Sequence, residues 1–523
     1  MDQRNQFEET TKPPENRRRH LIGMDRNIIV PGLVLLLIIS FSFFFIDVSG
    51  TDHIQRVQDF LTLHLGSFYL VYIFFLLIVL CVIGFSKIGN IRLGDGPPQY
   101  STASWISMLF CACIGSSILY WGLLEWAFYV QSPPFGFDPM SREAAEWSVG
   151  YTMFHWGISG WATYCLAAVI IAYFFFVKKI SIFRISVSCG LLSGPKWRVR
   201  LGRCIDIFVI LGLCSGVAVG VAIGAPMLAQ GLHELFGIVP STKENIVIAI
   251  FWSILFSVAT LKGIDKGVKI LSNINSIIAI AFIFYILFCS DTTFIINNFT
   301  NSVGIMAQNF LRMSFYTDPI GKSGFPQSWT CFYWAWWISY VPVMGLFIAK
   351  ISRGRTIRQM VLGTTLLGSL GCWFFQAILG GYGLQMYLTG QYDTIQVINT
   401  QGDYAAIMGL LKTLPMPSLV IAVFIILAFI FMATTCDSSA YILAALSCHK
   451  LSLYDEPPKA ARLLWCIASI VWPIILLLVG GIEVVKLCSI IGSIPLLFII
   501  TAMIWNFFKD VKKYLNENQP DSM

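Results

Sequence analysis

The stretch that decides the fold is Ile28–Ile46, IIVPGLVLLLIISFSFFFI, an apolar run without a charged residue. A helix that crosses a bilayer needs about 20 predominantly apolar residues, and this run supplies them. It follows a polar, charged segment of 27 residues. Because a cleaved signal peptide has a shorter apolar core and a small-residue cleavage site, the run predicts a retained membrane anchor.

The composition extends this prediction to the whole chain of 523 residues. Of these, 56% are apolar and only 12% are charged, whereas soluble proteins carry roughly twice that charged fraction. So few charges exclude a cytosolic enzyme, a disordered chain and a nucleic-acid binder. The net charge of +7 indicates loops that face anionic lipid. We expect an integral membrane protein whose surroundings are the lipid bilayer.

Cysteine usage argues against a disulfide framework and a metal site. The chain has 14 cysteines, and no C-x-x-C pair lies near histidines. We therefore expect reduced thiols that pack as small apolar side chains, and no cofactor. Many of them lie inside apolar runs: Cys81, Cys111, Cys113, Cys165, Cys214 and Cys289.

The apolar runs predict about twelve spans. The loops between them alternate along the chain, one basic and the next acidic. Basic loops collect on the cytoplasmic side of a membrane, so this alternation predicts that both termini are cytoplasmic. The segment Asp291–Met313 is amphipathic and is expected to lie along the outer surface as a helix. The predicted spans are 28–48, 67–86, 103–130, 149–177, 205–236, 245–261, 269–290, 328–350, 358–386, 416–447, 461–481 and 484–507.

Several spans contain small and polar residues at mid-membrane depth. The clearest are CACIGSS (Cys111–Ser117), CSGVAVGVAIGAP (Cys214–Pro226) and TTCDSS (Thr434–Ser439). Such clusters allow close helix packing, or they are unwound backbone that lines a substrate or ion cavity. Their presence in both halves of the chain indicates an inverted-repeat transporter, although no clean internal repeat is visible.

Aromatic residues form two stripes inside the predicted spans. In WTCFYWAWWISY (Trp329–Tyr340), one helical side carries rings over three turns, about 16 Å, which is deeper than an interfacial belt. A second group, Trp156, Trp161 and Tyr164, shares one side of its helix. Ring faces attract a cation that lacks hydrogen-bond donors, such as a quaternary ammonium. The residue types alone leave such a cage and ordinary core packing both open.

The chain resembles the betaine/carnitine/choline transporters from about Ile28 to Phe508. Two further stretches, QSPPFGFDP (Gln131–Pro139) and FYTDPIGKSGFPQSWT (Phe315–Thr330), look most like the carnitine/γ-butyrobetaine exchangers of that family. The segments that carry the family resemblance are STASWISMLF (Ser101–Phe110), HWGISGWATY (His155–Tyr164), FPQSWTCFYWAWWISY (Phe325–Tyr340) and ISRGRTIRQ (Ile351–Gln359).

The resemblance implies an all-α membrane protein of about twelve helices, in which two helices precede two inverted five-helix repeats of the LeuT type. It also implies a homotrimer in a bacterial inner membrane. The corresponding division is 1–27 for the cytoplasmic N-terminal segment, 28–100 for the leading helices, 101–290 for the first repeat, 291–326 for the amphipathic helix and linker, 327–508 for the second repeat and 509–523 for the cytoplasmic tail.

The resemblance also implies the substrate site, carried over residue by residue. Trp156, Trp161, Tyr164 and Trp337 correspond to an aromatic box, with Trp336 lining the pathway. Phe128 stands where the carnitine exchangers have a tyrosine. Trp329 matches a tryptophan of a second, vestibular site, and Met344 matches a methionine near the substrate carboxylate.

The two branches of the family differ in whether transport is coupled to the movement of sodium. The exchangers place an arginine in the seventh span, and the matching residue here is the neutral Asn275. Thr434 and Thr435 match hydroxyls that bind sodium in the betaine branch, and Cys111 and Ile114 occupy its backbone-carbonyl positions. Hydroxyl and carbonyl oxygens are suitable ligands for a small cation. Alternatively, both threonines only bond back to their own helix, so sodium coupling stays open.

Three titratable groups inside spans also need a role. Glu125 and Asp437 are costly in lipid and are candidates for ion or proton handling, although Asp437 is expected to tie neighbouring helices. His155 is expected to be a neutral, hydrogen-bonded histidine beside Trp156.

The sequence therefore predicts a secondary transporter of carnitine, γ-butyrobetaine or a related betaine that works by alternating access, with substrate exchange favoured. The alternative in the same class is a sodium- or proton-coupled importer of glycine betaine or choline. A membrane-embedded enzyme would need a clustered reactive site, and the six histidines are scattered. An osmosensing receptor without flux would be expected to carry a long regulatory tail.

Overall fold

The computed structural model is all-helical in the part of the chain that it describes. Isolated β-bridges join Met24 to Cys448 and Arg92 to Thr356. The described residues are 23–45, 51–112, 115–180, 182, 184–191, 195–262, 265–449, 451 and 455–517.

Seventeen α-helices occupy these residues. They are α1 (Arg26–Phe45), α2 (Thr51–Phe85), α3 (Thr102–Cys111), α4 (Ser116–Gln131), α5 (Arg142–His155), α6 (Ile158–Ala172), α7 (Ile185–Ser188), α8 (Lys196–Phe236), α9 (Thr242–Lys262), α10 (Asp265–Cys289), α11 (Thr292–Ser314), α12 (Cys331–Ile351), α13 (Ile357–Leu388), α14 (Thr394–Gln401), α15 (Asp403–Lys412), α16 (Pro417–Leu446) and α17 (Lys459–Glu517). Short π-helical turns extend α6 over Tyr173–Val177 and precede α12 over Pro326–Thr330.

Helices of the described residues fall within each of the twelve predicted spans, but the number of crossings is less sharply defined. Nine helical stretches of the described residues are long and apolar enough to cross a membrane, and there are eleven if two bent pairs each count as one span. One pair is α3 and α4, which bend by 57°. The other is α10 and α11, which bend by 110°, the geometry of a span followed by a helix along a surface. The chain is thus a multi-pass membrane protein, and the number twelve and the inverted repeats remain predictions.

Polar caps fix where several helices begin. The side chains of Ser101, Ser141 and Asp291 each accept a hydrogen bond from the first turn of the helix that follows. Thr356 and Gln359 form a reciprocal capping box at the start of α13. Because the first backbone N–H groups of a helix have no partner within it, these side chains stabilise the starts and define the loops.

The last helix, α17, contains both of the final predicted spans. Near its start, Trp465 donates to Ser447 Oγ (2.8 Å), and near its end Asn506 donates to the Ser188 carbonyl (3.0 Å). Ser188 and Ser447 lie in one neighbourhood, since the Arg184 side chain bonds to the carbonyl of Cys448. Both ends of α17 therefore lie on the same side, as two antiparallel crossings require.

A buried carboxylate ties the start of α1 to the end of α16. Asp25 accepts a hydrogen bond from Arg184 (2.8 Å) and lies 3.2 Å from His449 Nδ1. Burial by itself would raise the pKa of Asp25, but the bond from Arg184 and the charges of Arg184, His449 and Arg203 outweigh it and lower that pKa. The ionised form is stabilised by folding, so this contribution is present above the usual carboxyl range and is lost as the pH falls through the lowered pKa.

The helices that position the site are α4, α6, α12 and α13. Glycine allows α6 and α12 to approach closely, because a side chain at Gly345 would contact Ala167 and Ile171. Small residues at such crossings let backbones pack at short distance in membranes. This contact sets the aromatic residues of α12 opposite those of α6.

Candidate substrate site

The site begins at a break between α5 and α6. Helix α5 ends at His155, and the non-helical Gly157 separates Trp156 from Ile158, where α6 starts. A Cβ atom at Gly157 would lie 2.6 Å from the Met153 carbonyl oxygen, so the turn needs glycine. Unwound backbone at this depth is tolerated where it is buried in protein or lines a cavity.

A cavity of about 560 Å³ opens beside this break. Its walls come from α3, α4, α6, α8, α10, α12, α13 and α16, together with Trp156. Among the wall residues, Asn273 and Ser276 lie in the first half of α10, and Phe347 and Asp437 lie in the second halves of α12 and α16. These halves of the helices adjoin the basic loops, so the cavity extends from the aromatic rings toward the basic side of the protein.

The four predicted box residues all line this cavity. Trp337 is their centre, with its ring centroid 4.6 Å from Tyr164, 5.9 Å from Trp161 and 6.2 Å from Trp156. The angles between the rings are 47°, 67° and 71°. Rings at these angles form the walls of a concave site, which is the arrangement that cation–π binding of a quaternary ammonium uses.

Each indole N–H of the box is already bonded within the protein. Trp156 donates to Glu125 Oε2 (2.9 Å), Trp337 to the His155 carbonyl (3.0 Å) and Trp161 to the sulfur of Cys372 (3.4 Å). These bonds fix the orientation of the rings. Because these N–H groups are bonded elsewhere, the three indoles present their ring faces to the cavity.

Two glycines make room for the box, and the sequence reasoning missed both. A Cβ atom at Gly160 would overlap the ring of Trp337, and one at Gly368 would overlap the ring of Trp161. Gly160 lies one position before Trp161 within HWGISGWATY, so its proximity to the stripe was a usable signal. Gly368 lies on α13, and nothing in its local sequence indicates the contact.

The other residues carried over from the resemblance fall into two places. Trp336 and Met344 line the cavity, as does Tyr340, which the sequence reasoning left out of the site. Phe128 and Trp329 are not among the lining residues. They pack against each other at 5.4 Å, so their proposed contacts with substrate remain predictions.

Phe128 and Trp329 belong to an aromatic layer on the other side of the box. We define this layer by its five members, Trp121, Phe128, Tyr129, Trp329 and Phe332. Trp329 is its centre, with centroids 5.8 Å from Trp121 and 5.1 Å from Tyr129, and Phe332 lies 6.3 Å from Trp121. None of the five lines the cavity.

The residues considered for ion binding lie at the polar end of the cavity. Cys111, Thr434 and Thr435 line it, and Ile114 lies outside the described residues. Both threonine hydroxyls donate to the Phe431 carbonyl, at 3.0 and 2.9 Å. They thus bond back to their own helix, while their oxygen lone pairs are still able to face a cation.

Two polar residues join α16 to its neighbours. The buried Asn275 donates to the Leu427 carbonyl (3.3 Å) and is not a lining residue. Asp437 does line the cavity, and its Oδ1 lies 3.3 Å from the Arg462 guanidinium. The ion pair connects α16 to α17, which is the helix-tying contact expected of Asp437.

His155 is fully buried and bonded on both ring nitrogens. Its Nδ1 lies 2.7 Å from the Tyr129 hydroxyl and its Nε2 lies 3.0 Å from the Thr330 hydroxyl. The ring stacks on Tyr333 at 4.7 Å. These contacts are those of a hydrogen-bonded histidine within the protein core.

Reactive groups do not cluster in the part of the chain that the structure describes. No group of three or more His, Cys, Asp or Glu side chains there is placed to hold a metal ion. Its thirteen cysteines are free thiols, and eleven of them are buried or half-buried: Cys81, Cys111, Cys165, Cys189, Cys214, Cys331, Cys372, Cys436, Cys448, Cys466 and Cys488.

Comparison with known proteins agrees with the resemblance. Residues 27–516 match the model of the betaine/carnitine/choline family of transporters. The chain is 35% identical over 429 residues to the uncharacterized transporter YeaV of Escherichia coli, covering 82% of this chain and 89% of the relative. It is 34% identical over 441 residues to a carnitine transporter of Acinetobacter baumannii, covering 84% and 80%. The chain therefore belongs to the betaine/carnitine/choline transporter family and is a transporter, not an enzyme.

Proposed function

We propose that this protein carries a trimethylammonium compound, such as carnitine, γ-butyrobetaine or a related betaine, by alternating access. The trimethylammonium group docks among Trp156, Trp161, Tyr164 and Trp337, and Met344 lies near the substrate carboxylate. The observation that carries this proposal is the convergence of four rings on one cavity.

The chemistry of the cavity supports a bulky organic cation over a metal ion. A trimethylammonium group has no N–H to donate and is only weakly hydrated, so ring faces replace its water at little cost. The volume of about 560 Å³ lies within the range of about 300–1,000 Å³ that is typical of small-molecule sites. The Acinetobacter baumannii relative is named a carnitine transporter, which supports the same substrate class.

Binding is tested by quenching of tryptophan fluorescence in detergent. Carnitine, γ-butyrobetaine, glycine betaine and choline are titrated into the purified protein, with potassium chloride in place of sodium chloride as the control. Saturable quenching by at least one of them is expected, because three indoles form the walls of the site. Absence of quenching and of uptake for all four compounds would refute the proposed substrate class.

We further propose that transport proceeds by exchange of one substrate for another. In proteoliposomes loaded with γ-butyrobetaine, counterflow of labelled carnitine is then expected to be unchanged when potassium replaces sodium. The rival is an importer coupled to sodium or protons. Its support is the neutral Asn275 together with Thr434 and Thr435 at the polar end of the cavity. Steep dependence of uptake on sodium, or on an imposed proton gradient, would favour the rival.

The assembly and orientation are proposed from the family and the charge pattern. We propose a homotrimer in the bacterial inner membrane, with α11 at the subunit contact and both termini in the cytoplasm. The cavity would then open toward the cytoplasm, because its polar end faces the basic loops. The mass of the detergent-solubilised complex and the accessibility of introduced terminal tags to protease in intact cells test these statements.

A further inference from the structure

A fully buried carboxylate lies directly behind the aromatic box. Glu125 on α4 is 0% exposed, and three donors converge on it. Tyr333 and Trp156 donate to Oε2 at 2.7 and 2.9 Å, and Tyr129 lies 2.5 Å from Oε1. Trp156 is itself a wall of the cavity, whereas Glu125 is not. The carboxylate is therefore one side chain removed from the space that substrate would occupy.

The donors are of a kind that favours an ionised carboxylate. An indole N–H only donates, and the Tyr333 hydroxyl donates to the same carboxylate oxygen as Trp156. Together they saturate Oε2 with two donated bonds. Hydrogen bonds to the charged form of a carboxyl group stabilise that form, and they partly replace the water that burial removes.

No Arg or Lys lies within ion-pair distance of Glu125 among the residues that the structure describes. The ion-pair contact of Glu125 among these residues is with His155 Nδ1, at 3.5 Å. The Tyr129 hydroxyl lies between the two groups, 2.7 Å from that nitrogen. A neutral His155 that donates from Nδ1 to Tyr129 completes the chain, with Tyr129 then donating to Glu125 and Thr330 donating to His155 Nε2.

We infer that Glu125 is a fixed negative charge that makes the aromatic box select a cationic ligand. It acts through Trp156 as a specificity-determining residue and does not touch substrate. This inference rests on the proposed function, since it assumes that the box holds the trimethylammonium group.

Two physical effects give the selectivity. Coulomb attraction between Glu125 and the ligand nitrogen is strong because the lipid-embedded interior has a low effective dielectric constant. In addition, an indole that donates its N–H to a carboxylate gains electron density on its ring, which strengthens the attraction of the Trp156 face for a cation. A metal ion gains less, because the rings keep it away from the carboxylate oxygens.

The test compares γ-butyrobetaine with its carbon isostere, in which a tert-butyl group replaces the trimethylammonium group. The two ligands share shape and carboxylate but differ by one positive charge. We define the preference as the ratio of the two dissociation constants. The wild-type protein is expected to prefer γ-butyrobetaine, and Glu125→Gln is expected to reduce this preference by about tenfold. The dissociation constants are measured by tryptophan quenching in the intact, purified transporter.

Glutamine is a close replacement for Glu125. Its carbonyl accepts from Tyr333 and Trp156, and its amide donates to Tyr129. The Tyr129 hydroxyl then donates to His155 Nδ1, with the ring proton of His155 on Nε2 and bonded to Thr330. Tyr129→Phe is the matched control, because it removes one donor and keeps the charge. It is expected to leave the preference within about threefold of wild type, since the charge sets the ratio.

The outcomes separate this inference from the proposed function. A wild-type protein that binds neither ligand refutes the proposed function. If the wild-type protein prefers γ-butyrobetaine and Glu125→Gln shows the same preference, the inference that the charge of Glu125 sets the selectivity is refuted. An equal loss of preference in Glu125→Gln and Tyr129→Phe also refutes it, because geometry would then be the cause. If Glu125→Gln does not fold, Glu125→Asp replaces it, and loss of the preference despite the retained charge would overturn the inference.

Discussion

The aromatic box and the aromatic layer use the same residue types for different purposes. In the box, the indoles of Trp156, Trp161 and Trp337 all donate hydrogen bonds to groups behind them. In the layer, the indole nitrogen of Trp121 is buried and has no partner among the described residues. Its position is set by contacts with other rings, including Trp329 at 5.8 Å.

This difference teaches that rings of the same type form cavity walls where partners behind them fix their orientation, and fill space where their faces cover one another. Rings whose N–H groups are fixed keep their orientation when the space between them is empty. The rings of the layer pack against one another and fill their own space, although Tyr129 also bonds to Glu125 behind the box. The layer is thus a packed group of rings beside the box and supplies no wall of the cavity.

The largest effect is expected from removing a ring of the aromatic box, which tests directly whether the box and not the layer binds substrate. Trp337→Ala removes the ring that contacts all other walls of the box, and we expect uptake and substrate quenching to fall by about a hundredfold or more. Trp156→Ala should behave in the same way. Trp505→Ala is the control, because Trp505 is 75% exposed on the surface of the protein. Uptake close to wild type in Trp337→Ala, with normal amounts of protein in the membrane, would remove the box from the mechanism.

The second prediction concerns the layer. Trp121 is 1% exposed, so Trp121→Ala should destabilise the protein by about 3–5 kcal/mol, as for other buried aromatic truncations. The dissociation constant of the substrate should change by less than about threefold, because Trp121 contributes no wall to the cavity. Thermal unfolding in detergent and substrate quenching measure the two quantities. A large loss of affinity with unchanged stability would show that the layer is part of the binding site.

A smaller effect is expected from one methyl group in the box. In Gly160→Ala the new Cβ atom would overlap the ring of Trp337, so the ring must shift, and we expect about tenfold weaker binding. Gly304→Ala is the matched control on α11, where nothing lies within 4 Å of the added atom. Equal affinities of the two variants, measured by quenching, would contradict the close approach of α6 to Trp337.

The smallest effect is expected at Phe128. The resemblance makes this residue a wall of the substrate site, whereas the structure places it in the layer, against Trp329. Phe128→Tyr should therefore change the dissociation constant of carnitine or γ-butyrobetaine by less than about twofold. A clear gain in affinity from the added hydroxyl would show that Phe128 reaches the substrate in another conformation.

Much of the site was predictable, because its residues are close together in the sequence. Trp161 and Tyr164 share one side of α6, and Trp336, Trp337 and Tyr340 share one side of α12, whereas the helix predicted to include Trp156 breaks at Gly157. The helical period therefore groups the residues of each helix, and all six aromatic residues line one cavity. The sequence shows that Glu125 is costly in lipid, but it does not reveal the role of this residue, because its partners Tyr333 and Trp156 lie far from it in the chain.

The sequence by itself determined that the chain is a helical membrane protein and which family it belongs to. Apolar length and charge alternation reflect the bilayer, which acts on each segment separately. Only the tertiary structure decided which rings enclose a cavity and which fill a core. That choice depends on Gly160 and Gly368, which admit the box rings, and on hydrogen bonds between residues far apart in the chain. Such contacts are set by how helices pack, and no local pattern encodes them.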